Sequence, residues 1–263
     1  MLLAALLSAS SAIACPAPTI GFAPPLDRPL LLERRVERQL GTGIFRQQIS
    51  YRLQFSPAGR GFGLKIRQIA LTSDGPPDLL RLLALQEQSS EGETLDVTLD
   101  ATGTILGISE SPDAPDRLAR ALARLRDDPA IAARSAAQQA EIAAMLDRLA
   151  TLTPDERAGM HRAKFGRLVM FAGHRCAQGF VGSSDGTPYR LVSGASDSWV
   201  IEATRESSGG NPGAARVTDR AVLSPITGLI AQFERQTVTK VAGTERKAVE
   251  SLSLSVPSEA PES

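Results

Sequence analysis

The sequence predicts an α+β chain: a strongly curved antiparallel β-sheet, half-barrel-like, with a mid-chain helical hairpin as a lid. Three observations lead there. Apolar residues recur at every second position in segments on both sides of the chain's middle, as in strands with one buried face. Between about 111 and 165 the apolar spacing changes to three and four, as in helices. The turns between strand segments are short and contain glycine, which favours antiparallel pairing over parallel βαβ crossovers.

The chain opens on MLLAALLSASSAIAC. Leu2 to Leu7 form an apolar run, and Ala12-Ile13-Ala14 supplies an A-x-A cleavage pattern. Residues 1–14 therefore read as a secretory signal peptide, although the terminal amine is the only cation in its n-region. A membrane anchor would need about 20 apolar residues, and this run is too short. Export to the periplasm, or to a lipid anchor in the bacterial envelope, is the expected localisation. Cys15 follows the cleavage point, and two readings of it exclude each other. Ala12-Ile13-Ala14-Cys15 resembles a lipobox with Ala in place of the usual Leu, which would make Cys15 a lipidated first residue. Ordinary cleavage would instead leave Cys15 to pair with Cys176 in an oxidising compartment.

Residues 15–30 are proline-rich and read as an extended spacer. Residues 31–256 then read as a single α+β domain, and 257–263 as a disordered tail. Phe45, Ile49, Tyr51, Leu53 and Phe55 share one phase of two, with polar residues between them. A turn over Ser56 to Gly61 leads to Phe62, Leu64 and Ile66, whose apolar phase shifts by Ile69 and Leu71 as a bulge would produce. Residues 76–88 read as a short helix. Leu95, Val97 and Leu99, a turn over Asp100 to Gly103, and Ile105 to Ile108 make a hairpin.

In the helical insertion, Leu118, Leu122 and Leu125 fall at i, i+4 and i+7, with Arg117, Arg120, Arg124 and Arg126 mostly around the other sides. Asp128-Pro129 reads as the start of a second helix with Ile142, Met145, Leu146 and Leu149 on one stripe. Thr153 with Glu156 is a capping box for a third. Strand signals resume at Leu168 to Phe171. They continue at Tyr189-Leu191, Trp199-Ile201-Ala203, Ala215-Val217, Gly228 to Val238 and Leu252-Leu254-Val256.

Composition narrows the function classes. The chain has 263 residues, 42% of them hydrophobic, which is too apolar for a disordered chain. Its 29 basic residues balance 29 acidic ones, so no net field draws it to nucleic acid or an anionic membrane. Membrane association is then expected only through a lipid on Cys15. Aromatics make up 4%, too few for a sugar-stacking platform.

No catalytic set emerges from the residues. Cys176 has His174 nearby in sequence, but half of a disulfide or a buried thiol explains it better than a nucleophile. Gly182-Ser183-Ser184-Asp185-Gly186 matches G-x-S-x-G, the nucleophile elbow of hydrolases. It leads into a strand and not a helix, and no histidine follows it, so a turn is the better reading. Two His and two Cys show no metal-ligand spacing, and no cofactor is expected.

The segment Ile226-Thr227-Gly228-Leu229-Ile230, continuing through Gln232 to Thr237, is a TG turn feeding a long strand of alternating charge. With the exported N-terminus and Cys15, it resembles uncharacterised bacterial envelope proteins. In element order over residues 31–256 the chain is similar in outline to the lipoprotein-carrier superfamily, from which its long mid-chain helical segment departs. That resemblance implies a curved antiparallel sheet around an apolar cavity, lidded by helices and lined here by residues such as Phe45, Tyr51, Phe55 and Leu64. The expected function is a non-catalytic periplasmic or membrane-anchored carrier for an apolar ligand or a partner segment. The alternatives are an envelope structural or interaction protein that docks a partner through its arginine-rich helical hairpin, and a hydrolase using Ser184 or Cys176.

Overall fold

One-faced strands bury their apolar sides only against a second layer, and here the chain supplies that layer from its own middle. The computed structural model describes residues 14–40, 43–76, 80, 94–207, 215–241 and 244–257. One meander comprises β1 (Leu30–Leu40), β2 (Gly43–Ala58), β3 (Gly61–Asp74), β4 (Thr94–Leu99) and β5 (Ile105–Glu110). The second comprises β6 (Cys176–Ala177), β7 (Phe180–Val181), β8 (Tyr189–Gly194), β9 (Trp199–Ser207), β10 (Ala215–Leu223), β11 (Ile230–Val241) and β12 (Thr244–Ser255). They join in one 12-stranded sheet of order β5-β4-β3-β2-β1-β12-β11-β10-β9-β8-β7-β6. The first and last strands thus pair at its centre, with Val36 opposite Glu250. The sheet is curved and open, with β5 and β6 as its edges.

The helices bridge those two edges along the chain: α1 (Ala114–Arg126), α2 (Pro129–Ala132), α3 (Ala136–Ala150) and α4 (Pro154–Phe165), followed by a 3-10 turn over Gly166–Val169. Thr153 and Glu156 form the expected capping box at α4. Asp128 caps only the four-residue α2, while α3 starts from a second capping box of Ser135 with Gln138. Leu146 is buried but Met145 is 51% exposed, so the apolar stripe of α3 is narrower than its spacing suggests.

The bulge expected near Ile69 is present. Ser50 pairs with Ala70 and Tyr51 with Gln68, so Ile69 is the extra residue, and it points to solvent while Leu71 returns to the core. The expected helix over 76–88 lies outside the described residues, apart from Pro76 and Leu80. The strand expected at Leu168 to Phe171 is instead the 3-10 turn and the turns after it. A short continuous apolar run carries no period that separates strand from buried helix, and here the run is buried on every side. Phe165, Leu168, Met170 and Phe171 fill the concave side of the sheet. Phe165 meets Tyr51 edge to face at 5.2 Å between ring centroids, and Phe171 meets Tyr189 at 4.9 Å.

Residues 15–30 are extended, but they are a fastened strap and not a free spacer. Ile20 is fully buried and exchanges backbone hydrogen bonds with Gly173 and His174. Phe22 packs edge-on against Phe55 and Phe62. On the other side Gly21 donates to the Pro225 carbonyl. A Cβ on Gly228, which sits at φ +70°, would come within 2.4 Å of the Gly21 carbonyl oxygen, so only glycine fits this crossing. Cys15 is disulfide-bonded to Cys176 across 161 residues of sequence, which locks the strap at its start. Reduction, or the Cys176→Ser variant, is expected to lower unfolding stability by about 2–4 kcal/mol. Urea melts with and without reductant check it, and coincident curves would refute it.

Candidate functional site

On the inner face of the sheet, the phase that carries the apolar core also carries a row of charges across five neighbouring strands. Register places Asp219 of β10 opposite Arg235 of β11, and Arg235 opposite Glu250 of β12. Arg205 of β9 and Arg34 of β1 extend the row at either end. The signs alternate, so each carboxylate lies between guanidinium groups.

Asp219 is completely buried. Arg235 binds it with two donors, Nε to Oδ1 at 2.7 Å and Nη2 to Oδ2 at 2.8 Å. Arg205 Nη2 adds a bond at 2.7 Å and the Tyr189 hydroxyl one at 2.9 Å, both to Oδ2. A carboxylate has about four acceptor sites, and these donors fill them. Burial first, then the neighbouring Asp219 charge, pushes the Tyr189 hydroxyl well above the usual tyrosine range, so it stays a donor. The hydrogen bond to Asp219 raises Arg235 further above its ordinary value.

Glu250 receives Arg34 Nε at 2.7 Å and Arg167 Nη1 from the 3-10 turn, so one carboxylate ties the filling layer to the sheet. Burial acts to raise its pKa, but the two guanidinium groups outweigh it and hold Glu250 below the usual carboxylate range. The Arg167 and Arg235 guanidinium groups also lie over the Phe233 ring, at 5.3 and 5.6 Å from its centroid.

Helix α4 crosses this row and leaves a cleft on either side. The lid cleft, about 350 Å³, lies between the helices and the inner face of β1 and β2. Its apolar lining is Ile49 from the sheet with Leu118, Leu149, Leu152 and Met160 from the helical layer. Its polar end holds Glu110, which receives Arg157 Nε at 2.8 Å and faces His161 Nε2 at 2.9 Å. Burial pushes Glu110 up, and those two partners bring it below its ordinary value. Two buried donors of residues that line this cleft, Gln47 Nε2 and Arg117 Nε, have no hydrogen-bond partner among the described residues.

The rim cleft, about 650 Å³, lies on the other side of α4. The hydrolase candidates converge here, since His174, Ser184 and Asp185 all line it. They do not form a relay. Asp185 Oδ1 accepts from the Ser183 hydroxyl at 2.6 Å and from the Thr187 amide at 3.0 Å, which is the turn expected of Ser-Asp-Gly. No hydrogen bond joins Ser184 to His174 or His174 to Asp185 among the described residues. Burial lowers the His174 pKa against the opposing pull of Asp185. The Cys176 sulfur is committed to Cys15 and is no free thiolate.

The four residues expected to line a cavity have a different placement. Phe45, Tyr51, Phe55 and Leu64 are buried in the packed interior, 7, 1, 1 and 4% exposed, and none lines either cleft. The sequence singled out some of the residues that do line the clefts, such as Arg117, Leu118, Leu149, His174 and Ser184, but not the charge row beneath them. The row's signal was a charge in the apolar phase of a strand: Asp219 with Ala221 and Leu223, Arg235 with Phe233, Glu250 with Leu252.

No family model and no curated protein matches the chain. Three solved structures share parts of its outline. A lipovitellin structure described for its lipid–protein interactions has TM-score 0.41 and 6% identity, covering 89% of this chain but 25% of that one. A putative AttH from Nitrosomonas europaea has TM-score 0.19 and 10% identity, covering 95% of this chain and 60% of that one. A porin-like protein from Bacteroides uniformis has TM-score 0.20 and 8% identity, covering 92% and 100%. Likeness at this level assigns no function, and the site has to be read from its own residues.

Two outcomes follow from the charge row. Asp219→Asn removes the buried carboxylate that two part-buried guanidinium groups share and is expected to cost about 3 kcal/mol, against about 1 kcal/mol for Tyr189→Phe, both read from urea unfolding. Glu250 and Glu110 are both held below the ordinary glutamate value of about 4.5. Their contribution is therefore complete above that value and is lost as pH falls through the lower folded pKa. Glu250→Gln should flatten the decline of stability below about pH 4.5, and an unchanged pH slope would contradict the assignment.

Proposed function

We propose that the chain is a non-catalytic binding protein of the bacterial envelope, exported to the periplasm, that holds an apolar ligand in the lid cleft. The observation that carries this reading is the cleft's make-up: Ile49 from the sheet and Leu118, Leu149, Leu152 and Met160 from the helical layer share it with the cations Arg34, Arg117, Arg157 and Lys164. Ligand sites are commonly clefts of roughly 300–1,000 Å³ with a mostly apolar lining and a few placed polar groups. The cations in its lining favour a ligand with an acceptor at its head, such as an acyl chain ending in a carboxyl or ester.

The disulfide favours a soluble periplasmic form over a lipid anchor, because the Cys15 sulfur cannot carry both bonds. Docking of an envelope partner through the helices remains the second reading, favoured by Met145 and Met160, which are 51 and 56% exposed.

Native mass spectrometry of the full secreted chain, with displacement of a fluorescent acyl probe, tests the first reading. Acyl-probe binding is expected, and Leu149→Asp or Met160→Trp should weaken it about tenfold or more, the effect of losing one well-buried apolar contact. Met160 is exposed enough that its substitution should spare the fold. Probe binding indifferent to both substitutions, or no acyl binding by a folded protein, would sink the carrier reading.

A further inference from the structure

The rim cleft has a chemistry of its own. Three guanidinium groups line it: Arg162 from α4, Arg167 from the 3-10 turn and Arg235 from β11. Two of them are held in place from behind. Arg235 is fixed through Nε and Nη2 on Asp219, and Arg167 through Nη1 on Glu250. A guanidinium carries five N–H donors, so each retains donors beyond those bonds. Arg162 is different: it is exposed and has no ion-pair partner among the described residues.

The local charge is unbalanced. Around the cleft and the row beneath it stand Arg34, Arg162, Arg167, Arg205 and Arg235 against Asp185, Asp219 and Glu250. Asp219 already receives four donors, and Glu250 is paired with Arg34 and Arg167. Asp185 is turned to its own loop, where Ser183 and Thr187 bond it and Arg205 Nη1 approaches to 3.5 Å. No carboxylate is left over for Arg162. The walls also leave room, since Cβ atoms at Gly159 and Gly166 would meet nothing closer than 4.0 Å.

We infer that the rim cleft is an oxyanion-binding site, in which Arg162, Arg167 and Arg235 together hold a phosphoryl group. Guanidinium forks match the tetrahedral oxygens of phosphate, and charge-assisted hydrogen bonds are the strong class. Two of the three forks are pre-ordered by buried carboxylates, so less side-chain entropy is lost on binding. Free phosphate and the head of a phospholipid share this chemistry. Ile105, Val169 and Met170 line the same cleft and would lie along the first carbons of a lipid tail. The site is separate from the lid cleft, so its test does not depend on the acyl-binding reading.

Titration of the full secreted chain with inorganic phosphate, followed by calorimetry and amide NMR shifts, tests it. Saturable binding is expected, with shifts centred on residues 159–167 and 182–187 and an affinity that falls as salt rises. Arg162→Gln should weaken binding by about tenfold, the worth of a hydrogen bond to a charged partner. Ser184→Glu places a carboxylate in the cleft from an exposed turn and should abolish binding without disturbing the fold. A soluble short-chain phosphatidic acid separates the two sources. Affinity tenfold or more above that of phosphate, lost with Ile105→Asp, assigns a lipid head, and equal affinity assigns the free ion. No saturable phosphate binding by about 10 mM, or binding unchanged in both Arg162→Gln and Ser184→Glu, would overturn the inference.

Discussion

The Asp219 carboxylate is the constraint around which one half of the molecule is arranged. A fully buried charge is tolerated only where donors replace the lost water, and here β8, β9 and β11 each contribute them to a residue on β10. That requirement fixes the relative register of four strands as firmly as apolar packing does. A slip of one residue would turn Asp219 outward and leave Arg235 facing the core. Arg235 faces Glu250 across the register of β11 and β12, and Glu250 in turn pairs with Arg34 on β1 and Arg167 in the filling layer. One alternating series therefore couples the second meander, the first meander and the helical insertion.

The division of the concave side follows from that coupling. Phe165 to Phe171 occupies the space a wider half-barrel would leave open, so the interior is protein and the remaining space is split by α4 into two flanking clefts. The lid cleft sets an apolar patch beside Arg34, Arg117, Arg157, Lys164 and Glu110, and the rim cleft gathers Arg162, Arg167 and Arg235 beside an apolar margin. The charge row reaches both, through Arg34 in the first and Arg235 in the second. The filled interior also explains why residues as apolar as Tyr51 and Phe55 are core and not lining.

Much of the fold was legible because its strands keep a clean period of two. Phe45 to Phe55, the Leu95 to Ile108 hairpin and the Ile69 bulge could be read residue by residue, and the capping box at Thr153 marked α4 directly. The rest was hidden for identifiable reasons. β1 reads as three leucines followed by charges, since Arg34 takes an inward position that an apolar residue would ordinarily mark. The 3-10 turn sits in an apolar run without a period. The clefts depended on pairings such as Arg34 with Glu250, 216 residues apart, and no local pattern announces a contact at that range. A charge in the apolar phase of a strand was the one available clue, and it says that a partner exists without saying where.

The strand order has a consequence for how the chain becomes a protein. β1 precedes every other strand of the sheet in the chain, yet its neighbour β12 follows all of them. Until then β1 has one bare edge at what will be the middle of the sheet, and the strap before it has no Cys176 to reach. Each meander can assemble from neighbours in sequence, but the seam between them closes only at the end, across the largest loop in the molecule. The two half-sheets thus form before their seam, and the edges that become the centre of the sheet are the ones longest exposed to unwanted pairing.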